Sequence, residues 1–150
     1  MDLILWRHAE AEEGTPDLTR RLTKRGLKDA QCVANWLVPH LPQDVRILAS
    51  PALRTRQTAQ TLQFPFKIVE ALAPDAAVAD ILNAAGWPGN GSVVVIVGHQ
   101  PVLGRVAAWL LSGVEADWSI KKANVWWLGN RMRESVTQPL LRTVISPDLL

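Results

Sequence analysis

"VVVIVGHQP", residues 93–101, runs through five β-branched side chains and then breaks at Gly98. An unbroken apolar run of that length predicts a strand over residues 93–97 covered on both faces, the habit of parallel sheets. Beyond the Gly98-His99-Gln100-Pro101 turn, Val102, Leu103, Val106, Ala107 and Leu110 fall on one side of a helix. The same order recurs earlier in the chain. "LILWRHAEAE", residues 3–12, gives a short apolar strand over 3–6 and then Arg7 and His8. After a polar loop, Leu27, Ala30, Ala34 and Leu37 share one helical face, with Thr23 placed as the N-cap. "RILA", residues 46–49, is a further strand, stopped by Ser50-Pro51; serine as N-cap with proline in the first turn predicts the helix that follows. Residues 67–69 read as a strand and 75–84 as a short helix, and two last strands are expected at 125–128 and 140–145. "GWPGNGS", residues 86–92, reads as a loop rather than a boundary. Strands alternating with helices predict a three-layer α/β/α sandwich around a mostly parallel sheet.

The bulk properties fit one such domain over residues 1–150. A hydrophobic share of 48% and a charged share of 20% are those of a globular chain. A net charge of +2 offers no concentrated basic face for nucleic acid. One cysteine, Cys32, excludes an internal disulfide framework and suits a reducing cytosol. The opening residues turn polar at Arg7, so no leader peptide is expected, and no stretch approaches the roughly 20 apolar residues of a membrane span. The expected setting is cytoplasmic, away from membranes.

In open α/β sheets, ligands bind outside the carboxyl ends of the strands. His8 follows the first strand and His99 the most apolar one, so 91 positions of sequence (99 − 8) collapse to a few ångströms if the two strands pair in parallel. Arg54 joins them from the first turn after Ser50-Pro51, where backbone N–H groups and the helix dipole already favour an anion. Arg7 adds a second guanidinium. Either histidine alone would more simply be a residue with a satisfied hydrogen bond, and either arginine a solvated one. Two arginine forks and two imidazoles at one sheet edge instead describe a pocket for a tetrahedral dianion, with phosphate the natural guest. Arg56, two residues beyond Arg54, points to another side of its helix and is expected at the surface.

"RHAEAE" (residues 7–12), "SPALRTRQTA" (50–59) and "VGHQP" (97–101) resemble the three signatures of the histidine phosphatase superfamily, the phosphoglycerate mutase-like group. The short length and "DLTRRLT" (residues 17–23), followed by Gly26, look most like its SixA-type phosphohistidine phosphatases. Alanine at position 9, where the superfamily more often has glycine, fits that branch. The resemblance implies an α/β sandwich in which His8 becomes phosphorylated while Arg7, Arg54 and His99 hold the phosphoryl oxygens, and in which no cofactor or metal takes part. It also implies a phosphohistidine-bearing protein domain as partner. A neutral imidazole suits nucleophilic attack on phosphorus, and positioning with charge stabilisation supplies most of what phosphoryl transfer needs.

A proton donor is less plain. Between the arginine motif and His99 the carboxylates are Glu70, Asp75 and Asp80; Glu70 and Asp75 are the candidates, beside the simpler reading of solvated loop residues. An alkoxide leaving group wants a strong acid, whereas a phosphohistidine releases an imidazole that already carries its proton. The weak acid motif and the lack of a long insertion over the pocket both favour phosphohistidine on a protein. A small-molecule phosphomonoesterase and a non-catalytic phosphohistidine-binding module remain the alternatives. The basic run 19–25 places Arg20 at the pocket rim, able to steer an acidic partner, or simply on a solvated helix start. Three histidines and one cysteine do not build a zinc sphere, and His40 lies in a loop elsewhere. Trp6, Trp36 and Trp109 are expected to pack inside, and Trp126 and Trp127 to face opposite sides of a strand.

Overall fold

A computed structural model describes residues 1–89 and 91–150; Asn90, within the expected 86–92 loop, lies outside the described residues. Its centre is a six-stranded sheet in the order β3-β2-β4-β1-β5-β6. The strands are β1 (Asp2–Arg7), β2 (Arg46–Ala49), β3 (Lys67–Ile68), β4 (Val93–Gly98), β5 (Val125–Arg133) and β6 (Val136–Ile145). The first four in sequence run parallel, while β5 lies antiparallel on β1 and β6 antiparallel on β5, so the sheet is mixed. β1 and β4 occupy the middle, and their interiors are fully buried, which is why both read as unbroken apolar runs.

Side chains alternate between two cores. Ile4, Trp6, Val95 and Val97 face one layer, where α1 (Lys24–Leu37) and α2 (Leu53–Gln60) cover them with Ala30, Val33, Leu37 and Ala59. Leu3, Leu5, Val94 and Ile96 face the other, closed by α3 (Val78–Ala85) and α4 (Val102–Ser112) through Ile81, Leu103 and Val106. Trp6 is wholly buried, and its indole N–H donates to the Ala123 carbonyl at 2.9 Å, so the polar edge of a large apolar side chain is satisfied. Trp127 packs edge-on to Trp36, and Trp126 on the opposite face lies beside Trp118.

Several local expectations change. Thr23 does cap α1, its Oγ1 accepting from the Gly26 N–H at 2.9 Å. Leu27, however, is exposed, and Val33 takes its place in the buried stripe. Ser50 is not an N-cap: Ala52 precedes α2 without a side-chain cap, because Ser50 is drawn into the site described below. The segment expected to be helical from 75 begins only at Val78, where the Asp80 carboxylate accepts from the Ala77 N–H at 2.8 Å. The last two strands extend to a long hairpin, since their outer halves project past the sheet and carry polar residues without apolar alternation. Trp109 is exposed on α4 instead of packed inside. No helix among the described residues is long and apolar enough to cross a membrane.

Candidate active site

Register brings the site together. Arg7 of β1 lies opposite Gly98 of β4, and Ala49 of β2 opposite Val97. The chain stays paired one step further, with the His8 N–H donating to the Gly98 carbonyl at 3.1 Å and the Ser50 N–H to Val97 at 3.2 Å. His8, Ser50 and His99 therefore leave three adjacent strands at one level of the carboxyl edge, and α2 brings Arg54 over them from its first turn.

Two glycines fix the loops that carry these residues. A Cβ on Gly26 would sit 2.0 Å from the Glu10 carbonyl oxygen, so α1 can press its first turn against the loop after His8 only because residue 26 has no side chain. Thr23 completes that seam: its N–H donates to the Glu10 carbonyl, and its Oγ1 to Glu10 Oε1 at 2.9 Å. On the other side, a Cβ on Gly104 would meet the Trp118 carbonyl at 1.7 Å. Gln100 bridges there, donating from Nε2 to Trp118 at 2.8 Å and accepting the Gly104 N–H at 2.7 Å.

The four residues expected at the edge converge. His8 Nδ1–H donates to the Ala9 carbonyl at 2.7 Å, which leaves its Nε2 lone pair facing inward, where the Arg54 Nε–H donates to it at 3.3 Å. Arg54 Nη2 donates to His99 Nδ1 at 3.4 Å, and the remaining His99 proton, on Nε2, goes to Ser50 Oγ at 2.7 Å. These tautomers follow from the hydrogen-bond network. The imidazole centroids lie 5.4 Å apart. His8, Arg54 and His99 are only 7%, 4% and 2% exposed. Arg7 donates from Nη1 to the Ile120 carbonyl at 2.9 Å, while its buried Nε–H has no partner among the described residues. An unpaired buried donor is costly, and an anion would satisfy it.

Both imidazoles are held neutral. Burial pushes His8 down to about 4, against the Ala9 carbonyl, which favours the charged ring; the cations of Arg54, Arg7 and Arg20 push the same way as burial. Burial, His8 and Arg54 push His99 down to about 3, with Asp17 opposing them. Burial also lowers the Arg7 guanidinium from its ordinary value. A neutral His8 with its proton on Nδ1 presents Nε2 as an unprotonated nitrogen nucleophile once the Arg54 N–H turns from it to a phosphoryl oxygen.

The other candidates fall into place around this group. Arg20 sits at the rim, its Nε donating to the Glu12 carbonyl at 2.7 Å and its Nη1 to Asp17 Oδ1 at 3.0 Å. Glu70 and Asp75 are exposed and, among the described residues, bond to no member of the site. His40 lies in a helical turn after α1, bonded to the Trp36 carbonyl. Arg56 is half-buried, not a surface residue, and its enclosed Nε has no partner among the described residues; nothing in the structure explains it.

Three partners escaped the motif reading. Ser50 holds His99. Thr58 Oγ1 accepts the Ala9 N–H at 3.2 Å and donates to the Arg54 carbonyl at 2.8 Å, tying the two motifs together. Asp17 takes the outer edge of Arg54: its carbonyl accepts from Nη1 at 2.9 Å and its Oδ2 from Nη2 at 3.1 Å. Arg20, and then Arg54, hold the Asp17 carboxyl below the usual carboxylate range. Its sequence signal was its place at the head of "DLTRRLT".

Known proteins resemble this chain in sequence and in fold. The family profile of the histidine phosphatase superfamily (branch 1) matches residues 3–74. Phosphohistidine phosphatase SixA of Escherichia coli (strain K12) is 31% identical over 123 residues, covering 75% of this chain and 76% of that one. An uncharacterized protein of Mycobacterium tuberculosis is 34% identical over 118 residues, 73% of each chain. The solved structure of the protein histidine phosphatase SixA complexed with tungstate superimposes with a TM-score of 0.76 at 21% identity, covering 99% of both chains. At that identity the likeness is one of fold.

Proposed function

The chain belongs to the histidine phosphatase superfamily, within its SixA-type group, and on that premise we propose that it hydrolyses phosphohistidine borne on a protein, by way of a phosphohistidine on its own His8. One observation carries the reading: the buried Arg54 guanidinium spans the unprotonated nitrogens of two neutral imidazoles, His8 Nε2 and His99 Nδ1. That geometry sets a nucleophile and a cationic fork at the same point, which is what attack on a phosphoryl group requires.

In the first step His8 Nε2 forms a bond to phosphorus as the P–N bond to the substrate's protonated imidazole breaks, and that ring leaves neutral. His8 keeps its Nδ1 proton on the Ala9 carbonyl throughout, so its phosphorylated ring is cationic and a good leaving group in turn. In the second step water attacks phosphorus, His8 departs as the neutral ring it began as, and the water's proton passes to solvent or to the phosphate. Arg54, Arg7 and His99 bear the developing charge, and no carboxylic acid is called on. The reading makes Glu70 and Asp75 dispensable for this substrate, and it uses no metal.

A protein substrate accords with the surroundings. Among the described residues between α2 and β4 the elements are β3, a single helical turn at Glu70–Leu72 and α3, and Leu72, Val78 and Ile81 of that stretch pack into the core against the sheet. Beside Arg7 an open polar cavity of about 500 Å³, lined by Arg25, Lys121, Lys122, Glu10 and Asp29, offers both charges to a docked surface. The likeness to a protein named phosphohistidine phosphatase supports the same choice.

The test is release of inorganic phosphate by wild type and His8→Ala, from a phosphohistidine-bearing carrier and from a panel of small phosphoesters, with and without EDTA. His8-dependent, EDTA-insensitive release from the carrier is expected, with His8→Ala losing at least about 10³-fold. Preference for one small ester would move the protein to metabolite chemistry and bring Glu70 and Asp75 forward. Binding without release would make it a phosphohistidine reader, and metal-reversible inhibition by EDTA would refute the metal-free scheme.

A further inference from the structure

Arg54 has five N–H donors, and the structure engages four of them. On the inner edge, Nε donates to His8 Nε2 at 3.3 Å and one Nη2 proton goes to His99 Nδ1 at 3.4 Å. On the outer edge, Nη1 donates to the Asp17 carbonyl at 2.9 Å and the other Nη2 proton goes to Asp17 Oδ2 at 3.1 Å. The inner edge faces the nucleophile, so phosphoryl oxygens that His8 can attack must be gripped there. We propose that Asp17 is a positioning residue for phosphoryl transfer: by holding the outer edge through two of its own atoms, it keeps the inner edge of Arg54 turned toward the phosphoryl site. The inference rests on the role given to Arg54 above.

The two edges are not equally durable. The contacts to the imidazoles are long, and both N–H groups give them up when phosphoryl oxygens arrive to take them. The outer contacts are shorter, and a ligand on the inner edge leaves them untouched. In the filled site Asp17 is therefore the guanidinium's remaining protein anchor among the described residues. Orientation matters most at that moment, and an arginine side chain left unheld is rich in rotamers. Asp17 is itself anchored. Its carbonyl is backbone, at the start of the helical turn Asp17–Thr19, and cannot swing away. Its Oδ1 accepts from Arg20 Nη1 at 3.0 Å, and Arg20 Nε donates to the Glu12 carbonyl at 2.7 Å, in the loop that follows His8. The contacts thus run from the nucleophile's own loop through Arg20 and Asp17 to Arg54. Because two guanidiniums share one carboxylate, the grip leaves net positive charge for a phosphoryl group. The Asp17 side chain is 54% exposed, so the pair adds little to folding stability and its effect belongs to turnover.

The experiment measures kcat and KM on a phosphohistidine carrier, and inhibition by orthovanadate, in wild type, Asp17→Asn and Asp17→Ala, with Asp17→Ala also made in an Arg54→Lys background. Asp17→Ala lowers kcat by about 10-fold, less than the roughly 10²-fold that a misplacement of about 1 Å can cost, because the backbone carbonyl keeps half of the grip. The vanadate inhibition constant rises by a similar factor, while KM, set by the carrier's surface, and the urea midpoint stay near wild type. Asp17→Asn, whose amide oxygen still accepts from Nη2, recovers most of the loss. In the Arg54→Lys background Asp17→Ala costs no more than about 2-fold, because an ammonium has no second edge to be held. Equal losses in both backgrounds would show Asp17 acting apart from Arg54 and would overturn the proposal. An Asp17→Ala enzyme with wild-type kcat, or with tighter vanadate inhibition, overturns it as well. His8-dependent phosphate release by the wild type keeps the phosphatase reading standing in each of these cases. A wild type that releases no phosphate at all removes that reading and this inference together.

Discussion

Replacing Arg54 by lysine separates the charge of this residue from its shape. The guanidinium offers Nε to His8 at 3.3 Å and Nη2 to His99 at 3.4 Å from one rigid plane, and its outer edge points to Asp17. A lysine ammonium keeps the positive charge but is a point on a flexible stem, and it cannot meet both imidazoles and a phosphoryl oxygen together. At least one donor to the developing charge is lost. Removing a single such donor elsewhere costs about 3–4 kcal/mol in the transition state, or roughly 10²–10³-fold in kcat. Arg54→Lys is therefore expected to lower kcat on a phosphohistidine carrier by about 10²-fold. Arg54→Met, which also removes the charge, should lose more, and it should let the His8 pKa rise from about 4, since the Arg54 cation helps to depress it. Rapid-quench measurement of phosphate release gives the rates, and a urea midpoint for each variant checks folding. An Arg54→Lys enzyme within about 3-fold of wild type would refute the view that the fork's geometry matters.

Three further outcomes follow from burial and close approach. His8 and His99 are depressed to about 4 and about 3, so their imidazole resonances should stay at the neutral-ring position from pH 8 down to about 5; a midpoint near 6.5 for either ring in an NMR titration would contradict the buried, neutral pair. Because the folded rings bind protons less readily than the unfolded ones, stability should fall as pH drops from about 6.5 toward 4, by of the order of 2 kcal/mol per histidine at pH 5, read as a shift of the urea midpoint. Gly26→Ala should destabilise the protein by about 2–3 kcal/mol, because the new Cβ, 2.0 Å from the Glu10 carbonyl, forces α1 off the loop that carries His8. Turnover should fall with it, and an unchanged midpoint would show that the seam can relax.

What could be read from the chain and what could not divide along physical lines. β1 and β4 are buried on both faces, so each announced itself as an unbroken apolar run ending in a histidine, and their parallel pairing followed from the alternation of elements. Arg7, His8, Arg54 and His99 were legible because each stands at a strand end or in a first helical turn. Ser50 misled, since a serine before a proline is a good local cap signal, and the contact that wins it, His99, lies 49 positions away. Asp17 was passed over for a related reason: it heads the quoted "DLTRRLT" stretch, but its partner is Arg54, 37 positions away, and nothing in that stretch itself tells a loop aspartate that grips a distant guanidinium from one that faces water. The β5–β6 hairpin was read too short because its outer half lacks the apolar alternation by which strands are recognised. Leu27 and Trp109 are apolar residues that the helices leave exposed, which a periodicity argument has no means to foresee.

The strand order also sets a timetable for synthesis. β1 is made first, yet both of its neighbours, β4 at Val93–Gly98 and β5 at Val125–Arg133, come from the second half of the chain. Between Arg7 and Gly98 the ribosome must add 91 residues (98 − 7), about 5–20 s of elongation. Throughout that interval "LILW" has no strand to pair with; Ile4 and Trp6 can shelter against α1 and α2, but Leu3 and Leu5 face the layer that α3 and α4 close only later. A nascent chain that has just completed α2 carries His8 and Arg54 but not His99, and its most apolar strand is exposed along both edges. Whatever guards this protein against aggregation in the cell has to act in that window, and the phosphoryl site closes only when β4 arrives.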